Sequence, residues 1–258
     1  MTTLKLDGAE VFYRLEGRGE RTLAFAHGWC TDSDDWAEVA GRFSVDHKVL
    51  LWDRRGMGRS SAITPAHSAD QHADDLAALL DAEKLNRVVL VAHAGAGPAA
   101  LSFATRHVDR MAGLVLVDSG LYDPEGGAAE DAFAEAVTGW IASLSAPDAD
   151  EFLGTTYASF FGPAAPSEVV EKACLDAIGT DRAVAIEELR HVLTDTKGLA
   201  RTVSCPVMWV SVNPEDGPMA QGLFTDVMIG HPVGSGHFIQ VEVPDQLEAM
   251  LRAFLSQR

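Results

Sequence analysis

The sequence predicts an α/β fold with a mostly parallel, doubly wound sheet and a helical lid. Short apolar runs rich in β-branched residues recur along the chain, and most are continuous, as in strands covered on both faces. Between these runs lie segments with apolar residues at helical spacing. The alternation stops between about residues 121 and 200, where the pattern is helical throughout.

The predicted strands are short apolar segments bounded by turn-forming residues. They are residues 11–15, 22–27, 48–53, 87–93, 113–118 and 206–212, with a weaker candidate at 226–230. Amphipathic helices are predicted at 70–85, 98–111 and 244–258. The first of these helices has acidic residues in its first turn and the last has Pro244 near its start, and both features favour helix initiation.

The chain of 258 residues is long enough for one large core, and we predict a single domain. Residues 1–120 and 201–258 would form the core, and residues 121–200 would form a helical lid inserted into it. Such a lid would cover the carboxyl edge of the sheet, where open α/β sheets bind ligands. Its aromatic side chains could line a ligand pocket, although aromatic residues more often pack a core. They are Trp140, Phe152, Tyr157, Phe160 and Phe161.

Composition argues against some classes of partner. The formal net charge is −18, and a strongly acidic surface repels the phosphates of nucleic acids. Three cysteines stand far apart, which predicts free thiols in a reducing compartment. The N-terminal residues do not resemble a signal peptide, and no apolar run approaches the ~18 residues of a membrane helix. We expect a cytoplasmic protein, monomeric or homodimeric, that binds neither nucleic acid nor membrane.

A sharp turn between a strand and a helix is predicted at residues 92–97, AHAGAG. Such a turn usually holds a nucleophile at its apex, with small residues on either side because strand and helix approach closely. Ala92 and Ala96 are the small residues here. The apex is Ala94, whose methyl group has no reactive atom. The sequence therefore keeps the turn and lacks its nucleophile.

Three further motifs surround this turn in the chain. Residues 25–29 read FAHGW, residues 53–60 read DRRGMGRS, and residues 234–238 read GSGHF just before the last helix. Together with the turn they resemble the α/β-hydrolase fold superfamily over essentially the whole chain. The resemblance implies an α/β-hydrolase fold in which residue 94 is the nucleophile position and His237 is the catalytic histidine. It also implies an oxyanion hole formed by the backbone N–H groups of Trp29 and Gly95.

The catalytic acid has two candidates. Superfamily members usually carry it after the strand predicted at 206–212, but Asn213 stands there and cannot stabilise an imidazolium by charge. Asp216 follows in a predicted loop. Asp118 ends the strand that follows the turn at residues 92–97 and its helix. Some dehalogenases and the cofactor-independent quinolone dioxygenases place their acid at this point of the fold. We favour Asp118, because a residue at a strand end is held more rigidly than one in a loop.

The resemblance also suggests which residues contact a small hydrophobic substrate. The candidates are His27, Gly28, His93, Trp140, Tyr157 and Phe238. Among them, His93 is expected to be structural rather than catalytic, and His27 is expected to brace the turn that carries the Trp29 amide. The loop that contains Arg54 and Arg55 is expected mainly to brace the edge of the sheet.

Two explanations of Ala94 lead to different activities. If alanine replaces an original serine, the parent protein hydrolyses an ester, a lactone or a similar acyl compound through a Ser-His-Asp triad, and this chain would trap its substrate. If alanine is natural, His237 and Asp118 could act as a general base, as in cofactor-independent dioxygenases or lyases of this fold. A non-catalytic small-molecule receptor is a third alternative. A decayed enzyme would have no physical reason to keep a strained turn at residues 92–97, so we predict that a reaction takes place at this site.

Several potential metal ligands stand close together before and within the predicted helix at 70–85. They are His67, Asp70, His72, Asp74 and Asp75. Spacing alone is weak evidence for a metal site, and the resemblance implies an ordinary amphipathic helix. We therefore predict no metal and no other cofactor.

Overall fold

The computed structural model describes residues 2–62 and 67–257, and within them nine strands form one sheet. The strands are β1 (Thr2–Leu6), β2 (Ala9–Gly17), β3 (Thr22–Ala26), β4 (Lys48–Trp52), β5 (Ser61–Ala62), β6 (Val88–His93), β7 (Met111–Val117), β8 (Val207–Val210) and β9 (Val227–Gly230). Their order is β1-β2-β4-β3-β6-β7-β8-β9, with β5 paired to β2. All neighbours from β4 to β9 are parallel, whereas β1, β2 and β5 pair antiparallel. The predicted mostly parallel, doubly wound sheet is confirmed.

Strand β1 is absent from the predicted strands. It lies at the edge of the sheet, and its residues are exposed or only half-buried. It therefore lacks the continuous apolar run that marks strands covered on both faces. The weak candidate at 226–230 is present as β9.

Helices connect the strands and occupy the chain between β7 and β8. They are α1 (Ala37–Phe43), α2 (Ala69–Ala82), α3 (Gly97–Arg106), α4 (Ala128–Leu144), α5 (Ala149–Ser159), α6 (Ser167–Gly179), α7 (Arg182–His191), α8 (Thr196–Ala200), α9 (Asp216–Leu223), α10 (Ile239–Glu242) and α11 (Pro244–Ser256). The Ser68 hydroxyl caps α2 by accepting a hydrogen bond from the Gln71 N–H. The predicted last helix reached residue 258, which lies outside the described residues. Among the helices that are described, none is long and apolar enough to cross a membrane.

Helices cover both faces of the sheet. One face packs against α2, α3 and α9 around Trp209, and the other packs against α1 and α11 with Phe43 and Phe254 in the core. A third apolar cluster joins helices α4–α7 to Trp29, which follows β3, and to Phe238, which precedes α10. We call α4–α8 the inserted helices. Four of them, α4–α7, therefore pack over loops at the carboxyl end of the sheet.

A buried carboxylate holds the loop after β4. Asp53 is completely buried, and its Oδ1 accepts hydrogen bonds from the N–H and hydroxyl of Ser33 at 2.9 and 2.6 Å. Its Oδ2 accepts from the N–H and Nε of Arg59 at 2.8 and 2.7 Å. Burial alone would raise the pKa of Asp53, but the hydrogen bonds from Arg59 and Ser33 lower it to about 2. The loop therefore closes around a charged side chain.

We expect Gly58→Ala in this loop to destabilise the protein by about 3 kcal/mol, because two unfavourable effects coincide. The φ of Gly58 is +52°, and an added Cβ would lie 2.6 Å from both the Asp32 Cβ and the Asp53 Oδ2. Urea unfolding followed by circular dichroism measures the loss. Gly139→Ala in α4 is the control, since nothing lies within 4 Å of its added Cβ. A Gly58→Ala protein as stable as that control would contradict this account of the loop.

Candidate active site

The turn after β6 has a strained backbone at its apex. Every residue of β6 is buried, and the next residue, Ala94, has a φ of 48°, a left-handed conformation that non-glycine residues seldom adopt. One helical turn then leads into α3. Ala92 and Ala96 are completely buried, and a Cβ on Gly97 would lie 3.0 Å from the Ser119 Cβ. Only small residues fit around this apex, which is the geometry of a nucleophile elbow.

A histidine and an aspartate from distant parts of the chain form a hydrogen-bonded pair. Asp118 directly follows β7 with a φ of 47°, and its Oδ2 lies 2.6 Å from Nδ1 of His237. Its Oδ1 accepts a hydrogen bond from the Val212 N–H at 3.0 Å. Burial alone would raise the pKa of Asp118, but the hydrogen bond and charge of His237 outweigh burial and lower it. An ionised Asp118 keeps the His237 proton on Nδ1 and leaves Nε2 as the free basic nitrogen.

The backbone of His237 is also fixed. Its N–H donates to the Phe160 carbonyl at 2.7 Å, and its carbonyl accepts from Nε2 of His93 at 3.0 Å. Burial and the neighbouring His237 lower the pKa of His93 to about 3, so His93 is neutral and carries its proton on Nε2. His93 thus ties the histidine loop to the elbow.

Asp216, the alternative acid, makes different contacts. It begins α9, and its carboxylate accepts hydrogen bonds from the Ser211 hydroxyl at 2.6 Å and the Asn213 side-chain amide at 3.1 Å. These contacts organise the loop after β8. Of the two candidate aspartates, Asp118 is the one that contacts His237.

The elbow and the histidine share one cavity of about 190 Å³. Ala94, His237 and Asp118 all line it. Aromatic side chains supply much of the remaining wall, and they are Trp29, Phe133, Trp140, Tyr157, Phe160 and Phe238. Cavities near 150 Å³ hold benzene, whereas drug-sized ligands need about 300 Å³ or more, so this cavity suits a small apolar molecule.

The two predicted oxyanion residues lie against each other at the cavity. Trp29 and Gly95 both line it, and a Cβ on Gly95 would lie 3.4 Å from the Trp29 backbone nitrogen and 3.2 Å from the Trp29 Cβ. The Trp29 ring stacks on Trp140, with centroids 6.0 Å apart and an interplanar angle of 15°. The inserted helix α4 therefore covers Trp29, whose backbone amide is a predicted oxyanion donor.

Five of the six predicted substrate contacts line the cavity, and His27 does not. Those five are Gly28, His93, Trp140, Tyr157 and Phe238. His27 directly follows β3 and is completely buried, and its Nε2 accepts a hydrogen bond from the Arg54 N–H at 2.8 Å. Burial lowers the pKa of His27 to about 3, so the ring is neutral. His27 is therefore buried outside the cavity wall and bonded to the Arg54 backbone, and the prediction that it contacts the substrate is wrong.

Sequence reasoning missed several residues near the site. Phe133 lines the cavity and was not a candidate. Phe160 lines it with its ring centroid 5.2 Å from that of His237, and it was one of five aromatic candidates in the helical segment but not a chosen substrate contact. Their only sequence signal was an aromatic side chain in the helical segment, which does not reveal the face that meets the cavity. Glu188 was also missed. It is buried while the adjacent Glu187 is half-buried, and the sequence offers no sign of that difference.

The predicted group of potential metal ligands separates in the structure. His67 and His72 meet Glu188 of α7, with one ligand atom from each lying within 4.8 Å of the others. The aspartates have other partners: Asp70 accepts from Ser102, Asp74 pairs with Arg106, and Asp75 pairs with Arg55. Both oxygens of Glu188 are engaged, Oε2 by Arg54 at 2.7 Å and Oε1 by His72. A cation there would have to compete with a buried guanidinium.

Comparison with known proteins establishes the family. A family model described as the alpha/beta hydrolase fold matches residues 21–172. The chain belongs to this family. The resemblance drawn from the four motifs is thereby confirmed.

Curated proteins match part of the chain. A non-heme haloperoxidase from Rhodococcus erythropolis is 37% identical over 113 residues, which are 43% of this chain and 41% of that protein. A bifunctional esterase/perhydrolase from Acinetobacter calcoaceticus is 35% identical over 116 residues, which are 44% of this chain and 42% of that protein. Each match therefore covers less than half the length of the relative.

Solved structures of the same fold match the chain over nearly its whole length. An esterase from Thermogutta terrifontis superimposes with a TM-score of 0.87 at 21% identity, covering 100% of this chain and 99% of that one. An enol-lactonase from Burkholderia xenovorans gives a TM-score of 0.86 at 18% identity, covering 99% of this chain and 100% of that one. At these identities the likeness establishes the α/β-hydrolase fold.

Proposed function

We propose that this chain is an enzyme whose site acts on a small apolar ester, lactone or similar acyl compound. His237 is the general base, Asp118 orients it, and the backbone amides of Trp29 and Gly95 bind the oxyanion. One observation carries the proposal: the 2.6 Å hydrogen bond between His237 and Asp118, in the wall of the cavity that contains the elbow apex. The esterase and the enol-lactonase of the same fold are consistent with acyl chemistry.

Ala94 offers no covalent nucleophile, so water takes that part in the chain as it stands. Nε2 of His237 accepts a proton from water while the water oxygen bonds to the carbonyl carbon. The carbonyl electron pair moves to its oxygen, which the amides of Trp29 and Gly95 stabilise. When the tetrahedral intermediate collapses, the bond to the leaving alcohol breaks and the imidazolium returns the proton to the alcohol oxygen. Asp118 stays ionised throughout and stabilises the imidazolium.

Serine at position 94 would complete a triad with the same groups. Its hydroxyl would replace water in the first step and form an acyl-enzyme, which water would then hydrolyse. The φ of 48° at Ala94 supports serine as the residue of the parent site. A strained apex serves to present a nucleophile, and a methyl group gains nothing from it. We therefore interpret Ala94 as a replacement that removes the nucleophile, so that a bound ester is hydrolysed only by the slower route through water and is held in the site for longer.

A second candidate function is base catalysis on a substrate hydroxyl, as in cofactor-independent dioxygenases or lyases. The observation that favours it is that His237, Asp118 and the oxyanion residues are all present without a nucleophile. His237 would then take the substrate proton, and the amides of Trp29 and Gly95 would stabilise the resulting anion. Oxygen uptake with release of carbon monoxide from a hydroxyquinolone would support this candidate. No uptake across such substrates would discard the dioxygenase form.

The choice of acid gives a direct test of the proposed function. In the Ala94→Ser protein, we expect Asp118→Asn to lower ester hydrolysis by about 10²-fold, since His237 would lose its charged partner and its tautomer. Asp216→Asn is the matched control and should change the rate by less than about threefold, because Asp216 contacts Ser211 and Asn213 instead. Initial rates with p-nitrophenyl butyrate provide the measurement. A larger loss in Asp216→Asn than in Asp118→Asn would refute the assignment.

A further inference from the structure

The segment that carries one oxyanion amide has its carbonyl groups held by side chains. Nε of Arg54 donates to the His27 carbonyl at 3.0 Å, and Nη2 of Arg54 donates to the Gly28 carbonyl at 2.9 Å. The Tyr157 hydroxyl, from α5, donates to the Trp29 carbonyl. Nδ1 of His27 also donates to the Gly28 carbonyl at 3.0 Å. Three successive carbonyl groups are therefore fixed, two of them by one guanidinium.

These contacts decide where the Trp29 N–H points. The Gly28 carbonyl and the Trp29 N–H belong to one peptide group, and the described residues contain no cis peptide bond. A trans peptide group is planar, with its C=O and N–H on opposite sides. Because Arg54 holds the Gly28 carbonyl, the Trp29 N–H points away from Arg54. Gly95 lies beside that nitrogen, since its added Cβ would be 3.4 Å away.

Arg54 is itself held by the inserted helix α7. Its Nη1 donates to Oε2 of Glu188 at 2.7 Å, while Oε1 of Glu188 accepts from His72. The side chains of Arg54 and Glu188 are 1% and 5% exposed. Burial alone would raise the pKa of Glu188, but Arg54 and His72 lower it well below its usual range. Glu188 therefore remains charged and gives the buried guanidinium its counter-ion.

Neutralising Glu188 would leave the Arg54 guanidinium buried without that counter-ion. A buried unpaired charge is strongly unfavourable, so Arg54 would move toward water or another acceptor. The Gly28 carbonyl would then keep only the hydrogen bond from Nδ1 of His27, 3.0 Å away, and the direction of the Trp29 N–H would be held less firmly. The Trp29 ring would keep a separate contact, because its Nε1 donates to the Ala185 carbonyl of α7 at 2.9 Å. The expected disturbance is thus confined to the peptide group.

We infer that Glu188 is a positioning residue for the oxyanion site: through Arg54 it holds the Trp29 amide toward the reacting carbonyl. The inference rests on the proposed function, in which the Trp29 and Gly95 amides bind the oxyanion. It gives α7 a part in catalysis without direct contact with the reacting atoms. A misdirected amide still permits substrate binding but stabilises the transition state less.

The test compares variants of the full Ala94→Ser chain with p-nitrophenyl butyrate as the probe. Adding Glu188→Gln is expected to lower kcat by about 10-fold, with KM changed by less than about threefold. The affinity for a trifluoromethyl ketone, whose adduct with serine carries an oxyanion, should fall by a similar factor. Glu187→Gln is the matched control, because Glu187 pairs with Arg190 on the same helix. It should leave kcat and the inhibitor affinity unchanged.

A double substitution tests the route through Arg54. If Glu188 acts through Arg54, Glu188→Gln should lower kcat much less in an Arg54→Lys background than in its absence. An unchanged kcat in folded Glu188→Gln, or a rise in KM alone, would overturn the inference while leaving the proposed function intact. If Glu188→Gln does not fold, Glu188→Asp keeps the charge, shortens the side chain and carries the same comparison. A folded Ala94→Ser protein without ester hydrolysis would instead refute the proposed function, and the inference with it.

Discussion

Ala94→Ser is expected to raise the rate of p-nitrophenyl butyrate hydrolysis by on the order of 10³-fold over the unchanged chain. The substitution adds one hydroxyl to a Cβ that already stands at the elbow apex, so the φ of 48° need not change. The hydroxyl would enter a cavity that His237 also lines, where Nε2 can accept its proton. Release of p-nitrophenolate, followed by its absorbance, measures the gain.

The control for that gain is a serine placed where no base can activate it. Ala142→Ser adds the same hydroxyl to an exposed position of α4 and should leave the rate at the level of the unchanged chain. A folded Ala94→Ser protein that is no faster than Ala142→Ser would contradict the interpretation of residue 94 as the nucleophile position.

In the Ala94→Ser protein, His237→Ala is expected to lower the rate of p-nitrophenyl butyrate hydrolysis by on the order of 10³-fold or more. Without the imidazole, the serine hydroxyl keeps its proton, and only the oxyanion amides and substrate binding contribute. Steady-state kinetics should assign the loss to kcat, because the aromatic wall that binds the ester is unchanged.

His47→Ala is the control for the loss of an imidazole. His47 pairs with Asp46 near the surface, away from the cavity, and its replacement should leave the rate unchanged. Equal rates in Ala94→Ser with and without His237 would favour a site that binds a ligand and performs no chemistry.

Much of the fold could be predicted from the sequence, because the central strands are buried on both faces. Continuous apolar runs such as 87–93 and 113–118 are typical of strands covered by helices on both faces. The edge strand β1 could not be found this way, since its exposed residues give no such run. Strand prediction therefore succeeded for the buried central strands, found the edge strand β9 only as a weak candidate and missed the exposed edge strand β1.

The candidate site could be predicted in part, because four motifs in the chain resemble those of the α/β-hydrolase fold. The resemblance to the α/β-hydrolase fold placed Ala94, Trp29 and His237 in one site. It left the acid open between Asp118 and Asp216, since both follow strands at the same edge. Which carboxylate reaches Nδ1 of His237 depends on side-chain direction, which strand order does not fix.

The contacts that the inserted helices make with the site could not be predicted. Glu188 and Glu187 are neighbours in one helix, and only the packing of α7 decides which of them meets Arg54. The same holds for Phe160, which faces His237 from the end of α5. Contacts between the inserted helices and the core depend on the angle at which they pack, and local sequence patterns do not encode that angle.

The most direct test of the central claim is the labelling of Ala94→Ser by a fluorophosphonate, followed by intact mass and peptide mapping. An activated serine displaces fluoride from this reagent and keeps the phosphonyl group, so one adduct should form, on the peptide that contains residue 94. Labelling should be slower by on the order of 10²-fold or more when His237→Ala is added, because the base is lost. Labelling at the same rate with and without His237, or no label at position 94 in a folded protein, would contradict a shared catalytic site.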